Sequence, residues 1–235
     1  MVKGIYDAAS NLHAKMKNME IVANNLANIN TTGYKREIPF SEYMSKYGNE
    51  NVKQLSDFSS GVFEETGNKL DLSINGDAFF VVETDRGLAL SKDGKFKVDD
   101  EGYVVNGRNQ KLIGSGGPLN LYEKVFDKTG DISFTKNGEV KIGGISAGQL
   151  MIAGVTNKSN MVRGESQNFY LPETDYQIAM EGSFEVMQGY LENSNTNPLQ
   201  EMQAMIQLNK DYETTQKIIQ SLDTMMGQAK EVGKV

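Results

Sequence analysis

The side chains that could carry out reactions are not spaced so as to build a reacting site. His13 is the only histidine and cysteine is absent, which excludes disulfides, thiolate metal centres, cysteine nucleophiles and two-histidine metal sites. His13 follows Leu12 on a helical stretch and reads as a surface residue. Gly114-Ser115-Gly116-Gly117-Pro118 has the glycine content of a phosphate loop. It has no following lysine and no helix whose N-terminus would face a phosphate, so a tight turn between strands is the better reading. Asp99-Asp100-Glu101 invites an acid/base pair or a calcium site, yet it lacks the alternating ligand spacing of a calcium loop and reads as a solvated turn. Asn30-Thr31-Thr32 and Asn157-Lys158-Ser159 match the glycosylation triplet, a pattern short enough to arise by chance. No catalytic residue, cofactor or metal is expected. The remote alternative, a module that binds or hydrolyses cell-wall glycan, requires convergent carboxylates or aromatics within residues 68–180.

Composition points the same way. The 235 residues, 38% of them hydrophobic, suffice for one large or two modest domains with a real core. The formal charge of −7 argues against nucleic-acid binding, and the one compact basic pair, Lys35-Arg36, is too small to track phosphates. No stretch approaches the ~18 apolar residues of a membrane span, so no membrane insertion is expected. The first ten residues are amphipathic and do not read as a cleavable secretory signal.

The elements that remain are assembly elements. Ile5, Leu12, Met19 and Leu26 recur every seven residues, with Ala9, Met16 and Ala23 between them. Near the other end Met205, Leu208, Tyr212, Thr215, Ile219, Leu222, Met226 and Ala229 follow a 3-4-3-4 spacing. Such narrow stripes predict two helices that pair as a coiled coil. The first is expected over residues 4–30, stopped by Gly33 as a left-handed C′ residue. The second starts at Asn197-Pro198-Leu199-Gln200, with asparagine as cap, proline at the first helical position and Gln200 reaching back. Residues 34–67 lose periodicity and read as an extended connector, with one short helix around 40–47. From residue 68 short apolar runs alternate with turn dipeptides such as Asn75-Gly76, Asn106-Gly107 and Asn137-Gly138, which predicts an antiparallel sandwich or barrel. Within Leu88–Val105 two successive hairpins are expected, turning at Lys92-Asp93-Gly94 and Asp100-Glu101-Gly102. The fold class is therefore α+β, divided as 1–33, 34–67, 68–185 and 186–235.

Ala23-Asn24-Asn25-Leu26-Ala27-Asn28-Ile29-Asn30 stands apart, because asparagine is a weak helix former. Its side chains offer donors and acceptors to neighbouring backbones, as an interface would use them. Read on through Thr32-Gly33-Tyr34-Lys35-Arg36, this segment resembles the N-terminal signature of the bacterial flagellar rod and hook proteins. Gln188-Gly189-Tyr190-Leu191-Glu192-Asn193-Ser194-Asn195, followed by Asn197-Pro198 and Glu201-Met202, is similar to their C-terminal signature. Leu70-Asp71-Leu72-Ser73-Ile74-Asn75-Gly76, Lys92-Asp93-Gly94-Lys95-Phe96 and Gly102-Tyr103-Val104-Val105 agree with their middle. Tyr34, Ala78 and Thr196 stand where phenylalanine, glycine and valine are common in the family.

The resemblance implies a structural subunit of the basal-body rod that is exported unfolded through the flagellar type III apparatus. It would self-assemble, alongside other rod and hook axial proteins, into a helical tube beyond the cytoplasmic membrane. The short central domain disfavours the hook protein, and the Ile113–Leu119 segment, which is similar to one in the proximal rod protein, favours the proximal over the distal rod. The implied assembly interface comprises Ile5, Leu12, Met16, Met19, Ala23, Asn24, Asn25, Leu26 and Asn28 on the first helix. On the second it comprises Met205, Leu208, Tyr212, Ile219, Leu222 and Met226. Gly33, Gly189, Asn195 and Pro198 mark the family's turns. Removing residues 1–36 or 198–235 is expected to leave the β domain folded but to abolish incorporation.

Overall fold

The computed structural model describes residues 2–47, 55–121, 131–164, 167–171, 175–180 and 182–232. The chain divides into two compact units, one of residues 1–28, 37–52 and 196–235, the other of residues 29–36 and 53–195.

The first unit is helical. It contains α1 (Val2–Ala27), α2 (Phe40–Tyr47) and α3 (Pro198–Val232), and α2 is the short helix expected around 40–47. The cap of α3 is the one its sequence predicts. The Asn197 side-chain oxygen accepts from the amides of Leu199 at 3.0 Å and Gln200 at 3.3 Å, occupying two of the amides that no helical carbonyl can reach. α1 ends at Ala27, short of residue 30. The Asn28 amide sits 3.2 Å from the carbonyls of both Asn24 and Asn25, and its Nδ2 donates to Asn24 O at 2.8 Å. An asparagine that serves the last carbonyls itself competes with continuation of the helix.

α1 and α3 pack against each other in antiparallel register. Lys15 Nζ lies 3.3 Å from Asp211 Oδ2 and Asn25 Nδ2 lies 3.2 Å from Glu201 Oε2; ten residues forward on one helix is ten back on the other. On α3, Thr215 is buried, while Met205, Leu208, Tyr212, Ile219, Leu222 and Met226 are half-buried, as the 3-4-3-4 stripe predicts. On α1 the second column is shifted by one residue. Ala8 and Lys15 are half-buried and Val22 is buried, whereas Ala9, Met16 and Ala23 are exposed. Lys15 hid this column, because its aliphatic stem covers the seam while its ammonium reaches Asp211.

The second unit is antiparallel throughout its described pairings. Its largest sheet runs in the order Val162–Arg163, Phe169–Tyr170, Gly87–Ser91, Ala78–Thr84, Lys111–Gly114, Val104–Asn106, Phe96–Val98. Ile152–Val155 also pairs with Ala78–Thr84, and Tyr176–Ile178 with Ile152–Val155. A three-stranded sheet (Ile132–Phe134, Glu139–Ile142, Ile145–Gln149) and two strand pairs complete it. Leu72–Gly76 pairs with Phe184–Gln188, and Phe63–Glu65 with Tyr190–Glu192. The continuous apolar run Ala78-Phe79-Phe80-Val81-Val82 is explained by burial on both faces. Phe80 and Val82 pack with Leu72, Leu112 and Val140, while Phe79 and Val81 pack with Leu90, Ala153 and Phe169.

One of the two expected hairpins forms. Phe96–Val98 pairs with Val104–Asn106 around a turn in which Asp99 Oδ1 accepts from Glu101 N at 3.0 Å and Tyr103 N at 2.8 Å. The other does not: Gly87–Ser91 pairs with Ala78–Thr84 and lies four places from Phe96–Val98 in the sheet. Lys92-Asp93-Gly94 instead crosses the start of the Leu72 strand, where the Leu72 amide donates to Gly94 O at 2.9 Å. A Cβ on Gly94 would lie 1.6 Å from the Leu72 carbonyl oxygen. Glycine is required here by close approach of two backbones. Gly94→Ala is expected to cost about 3 kcal/mol or more of stability, read as a lowered denaturant midpoint.

Candidate functional site

Two buried polar centres, one in each unit, are built from the segments that the sequence marked out. In the second unit the centre is Glu192, at the end of the Tyr190–Glu192 strand and 1% exposed. Lys35 Nζ approaches Glu192 Oε1 to 2.7 Å and also donates to Ser59 O at 2.7 Å. The Gly61 amide donates to the same carboxylate oxygen at 2.9 Å. Lys92 Nζ stands 3.8 Å from Glu192 Oε2 and donates to Gly76 O at 2.9 Å and Ile74 O at 3.2 Å. Lys35 and Lys92 are 1% and 4% exposed. Two ammonium groups thus share one carboxylate in a site nearly closed to water. Burial pulls the Lys92 ammonium down from 10.5 to about 8, an effect the Glu192 charge opposes and the Lys35 charge reinforces.

The chain is shaped to bring these groups together. Gly33 has φ +68, and a Cβ there would sit 2.3–2.4 Å from the backbone of Lys92 and Asp93. Its glycine therefore lets residues 33–36 lie against the Lys92 turn, a role different from the helix stop that its position suggests. The Gly33 amide donates to Glu192 O at 2.7 Å. Three residues on from Glu192, Asn195 Oδ1 accepts from Arg36 N at 2.7 Å, and its Nδ2 donates to Asp57 O at 2.8 Å and Ser59 O at 3.0 Å. Gly189, with φ +79, makes the bend at which one stretch of chain leaves the Leu72–Gly76 strand and joins Phe63–Glu65. Arg163 completes the packing, its guanidinium 4.8 Å from the Tyr34 ring centre and 5.2 Å from that of Phe169.

In the helical unit the centre is Asn25, fully buried. Its Nδ2 donates to Glu37 O at 2.8 Å and to Glu201 Oε2 at 3.2 Å, and its Oδ1 accepts from Glu37 N at 2.9 Å. Both faces of the amide are used, and Glu201 is 1% exposed.

The expected interface residues fall into three sets. Leu12, Met19, Leu26 and the α3 stripe lie along the α1–α3 seam, and Asn25 is buried beside them. Met16, Ala23 and Asn24 are exposed, while Asn28 is half-buried at the helix end. The side chain of Ile5 lies outside the described residues. Pro198 opens α3. Sequence reasoning missed Lys35, Lys92, Glu192 and Glu201 as buried groups. Their only signal was membership of the quoted motifs, since no periodicity marks a charged residue for the interior.

Three family descriptions match along the chain: "Flagella basal body rod protein" over residues 5–35, "Flagellar hook protein FlgE/F/G D1 domain" over 73–142, and "Flagellar basal body rod FlgEFG protein C-terminal" over 187–232. The flagellar basal-body rod protein FlgF of Rhizobium meliloti is 27% identical over 240 residues, covering 98% of each chain. FlgF of Caulobacter vibrioides is 27% identical over 248 residues and 100% of each chain. FlgG of Buchnera aphidicola subsp. Schizaphis graminum is 29% identical over 258 residues, 96% of this chain and 98% of that protein. This chain belongs to the flagellar basal-body rod protein family. Each of the three family segments contributes one charge to the buried cluster, Lys35 from the first, Lys92 from the second and Glu192 from the third.

Glu192→Gln leaves two buried ammonium groups without a counter-charge and is expected to cost about 3–5 kcal/mol in urea unfolding. The lowered Lys92 value has a definite sign. Between pH 8 and 10.5 the unfolded chain holds a proton on Lys92 that the folded chain has released, so the Lys92 contribution to stability rises with pH across that window and is lost as pH falls through about 8. The gain is at most about 3 kcal/mol, and the difference in urea midpoint between pH 7.5 and 10 should shrink in Lys92→Met.

Proposed function

We propose that this chain is a structural subunit of the flagellar basal-body rod, of the proximal, FlgF-like kind, whose terminal helices form a coiled-coil core through which subunits polymerise. The observation that carries the reading is end-to-end similarity to basal-body rod proteins in a chain whose two ends pair as helices α1 and α3. The pair keeps apolar residues on its outer surface: Tyr6, Met16, Leu199, Met202, Ile206, Ile218 and Met225 are exposed. Exposed large apolar side chains on these helices suit burial against further subunits. On this reading residues 1–33 and 186–235 form the polymerisation core, 34–67 the connector, and 68–185 a β domain of sandwich or barrel type.

The proximal assignment is supported by length. The FlgF alignments run close to the length of this chain, whereas the FlgG alignment spans 258 residues against 96% of it, which requires inserted segments. The 29% identity to FlgG favours the distal rod as second reading. Partners are further copies of this chain, other rod and hook axial proteins, and the type III export apparatus that delivers the unfolded chain to the flagellum. No described helix is long and apolar enough to cross a membrane.

The deletion that tests the reading has to spare Lys35, because residues 29–36 belong to the β unit and removing residues 1–36 would strip Glu192 of a partner. Removing 1–28 or 198–235 is expected to leave cooperative unfolding of the β unit intact and to abolish incorporation into isolated basal bodies. Leu222→Asp, which places a charge on the seam at a cost of several kcal/mol, should act the same way. Normal motility after either deletion would overturn the assembly reading. Cross-linking from the terminal helices to the proteins above and below separates proximal from distal placement.

A further inference from the structure

We infer that Asn25 and Glu201 set the register of the α1–α3 pair, selecting one alignment of two heptad stripes that fit equally well one repeat apart. The ion pair Lys15–Asp211 and the hydrogen bond Asn25–Glu201 define the observed alignment, in which Met19 lies near Leu208 and Leu12 near Thr215. Sliding α3 by seven residues places Met19 near Thr215, Leu12 near Leu222 and Ala8 near Met226. Apolar columns still meet apolar columns, because a heptad stripe repeats itself. The stripes therefore carry no register information of their own.

The polar centre does. In the slipped alignment Asn25 faces Leu208, and Glu201 runs past the end of α1. Each then leaves a water-excluded hydrogen bond, and burial makes such losses costly. Asn25 is held in place from a second side by the Glu37 backbone, through Glu37 N and Glu37 O, so it cannot follow the moving helix. Sliding the opposite way would bring Asn18 to Glu201. That alignment moves Lys15 away from Asp211 and carries Val22, now fully buried, beyond the start of α3. A single alignment matters to a polymer built on a repeated contact, since every subunit has to present the same surface to the next.

The absence of cysteine makes the test clean. Two reporter pairs are introduced into the 235-residue chain, Met19→Cys with Leu208→Cys for the observed alignment and Met19→Cys with Thr215→Cys for the slipped one. Disulfide formation is read by mobility on gels under mild oxidation. In the otherwise unaltered chain only the first pair should close. In Asn25→Leu/Glu201→Leu, closure of the second pair should rise at least about ten-fold relative to the first. Glu201→Gln, whose amide oxygen can still accept from Asn25, should retain the original pattern. The inference is overturned if the double variant keeps that pattern with its helix content unchanged. It is equally overturned if neither pair closes, since the two residues would then hold the helices together rather than choose their alignment. The readout concerns a single chain and does not depend on whether the protein builds a rod.

Discussion

A carboxylate with almost no access to water holds the β unit together. Glu192 is reached by one lysine from the segment that follows α1, by another from the middle of the sheet, and by the Gly61 amide. Burying an ion is costly unless partners replace its hydration, and here each partner lies a hundred or more residues before Glu192 in sequence. Closing the unit brings all of them to one site. Residues 29–36 thus fold with the β strands, although they follow directly on a helix of the other unit.

The same logic governs the helical unit on a smaller scale. Two seams of half-buried apolar residues give α1 and α3 a reason to associate, while a fully buried amide gives them a reason to associate in one way. Apolar contact is non-directional and tolerates displacement; hydrogen bonds in a dry environment do not. A rod subunit needs both properties, association to build the polymer and a single geometry to repeat. The flanking turns serve these centres. Gly33 lets the chain after α1 approach the Lys92 turn, and Asn195 fastens the returning chain to Arg36, Asp57 and Ser59 before α3 begins.

Much of the framework is legible in the residues. The α3 stripe, the Asn197 cap, the short helix over 40–47 and the hairpin at Asp99–Tyr103 all follow from local rules, since periodicity and turn chemistry act within a few residues. The misreadings have equally local causes. Lys15 sits in the true α1 column but is polar, so the apolar neighbours Ala9, Met16 and Ala23 took its place in the reading. Lys92-Asp93-Gly94 has the composition of a hairpin turn, yet Gly94 is there to let the Leu72 backbone pass. A glycine required by a distant strand looks the same in sequence as one required by a turn.

By itself the sequence determined that the ends are helices with narrow apolar seams, that the middle is antiparallel β structure, and, through its motifs, to which family the chain belongs. These properties rest on interactions between residues close along the chain, or on likeness to other chains. Only the tertiary structure decided that Lys35, Lys92 and Glu192 share one buried site, that Gly33 serves the β unit rather than the end of α1, and that Asn25 meets Glu201. Each depends on which distant segments exclude water from one another. A charged or amide side chain carries no local mark of whether water will reach it.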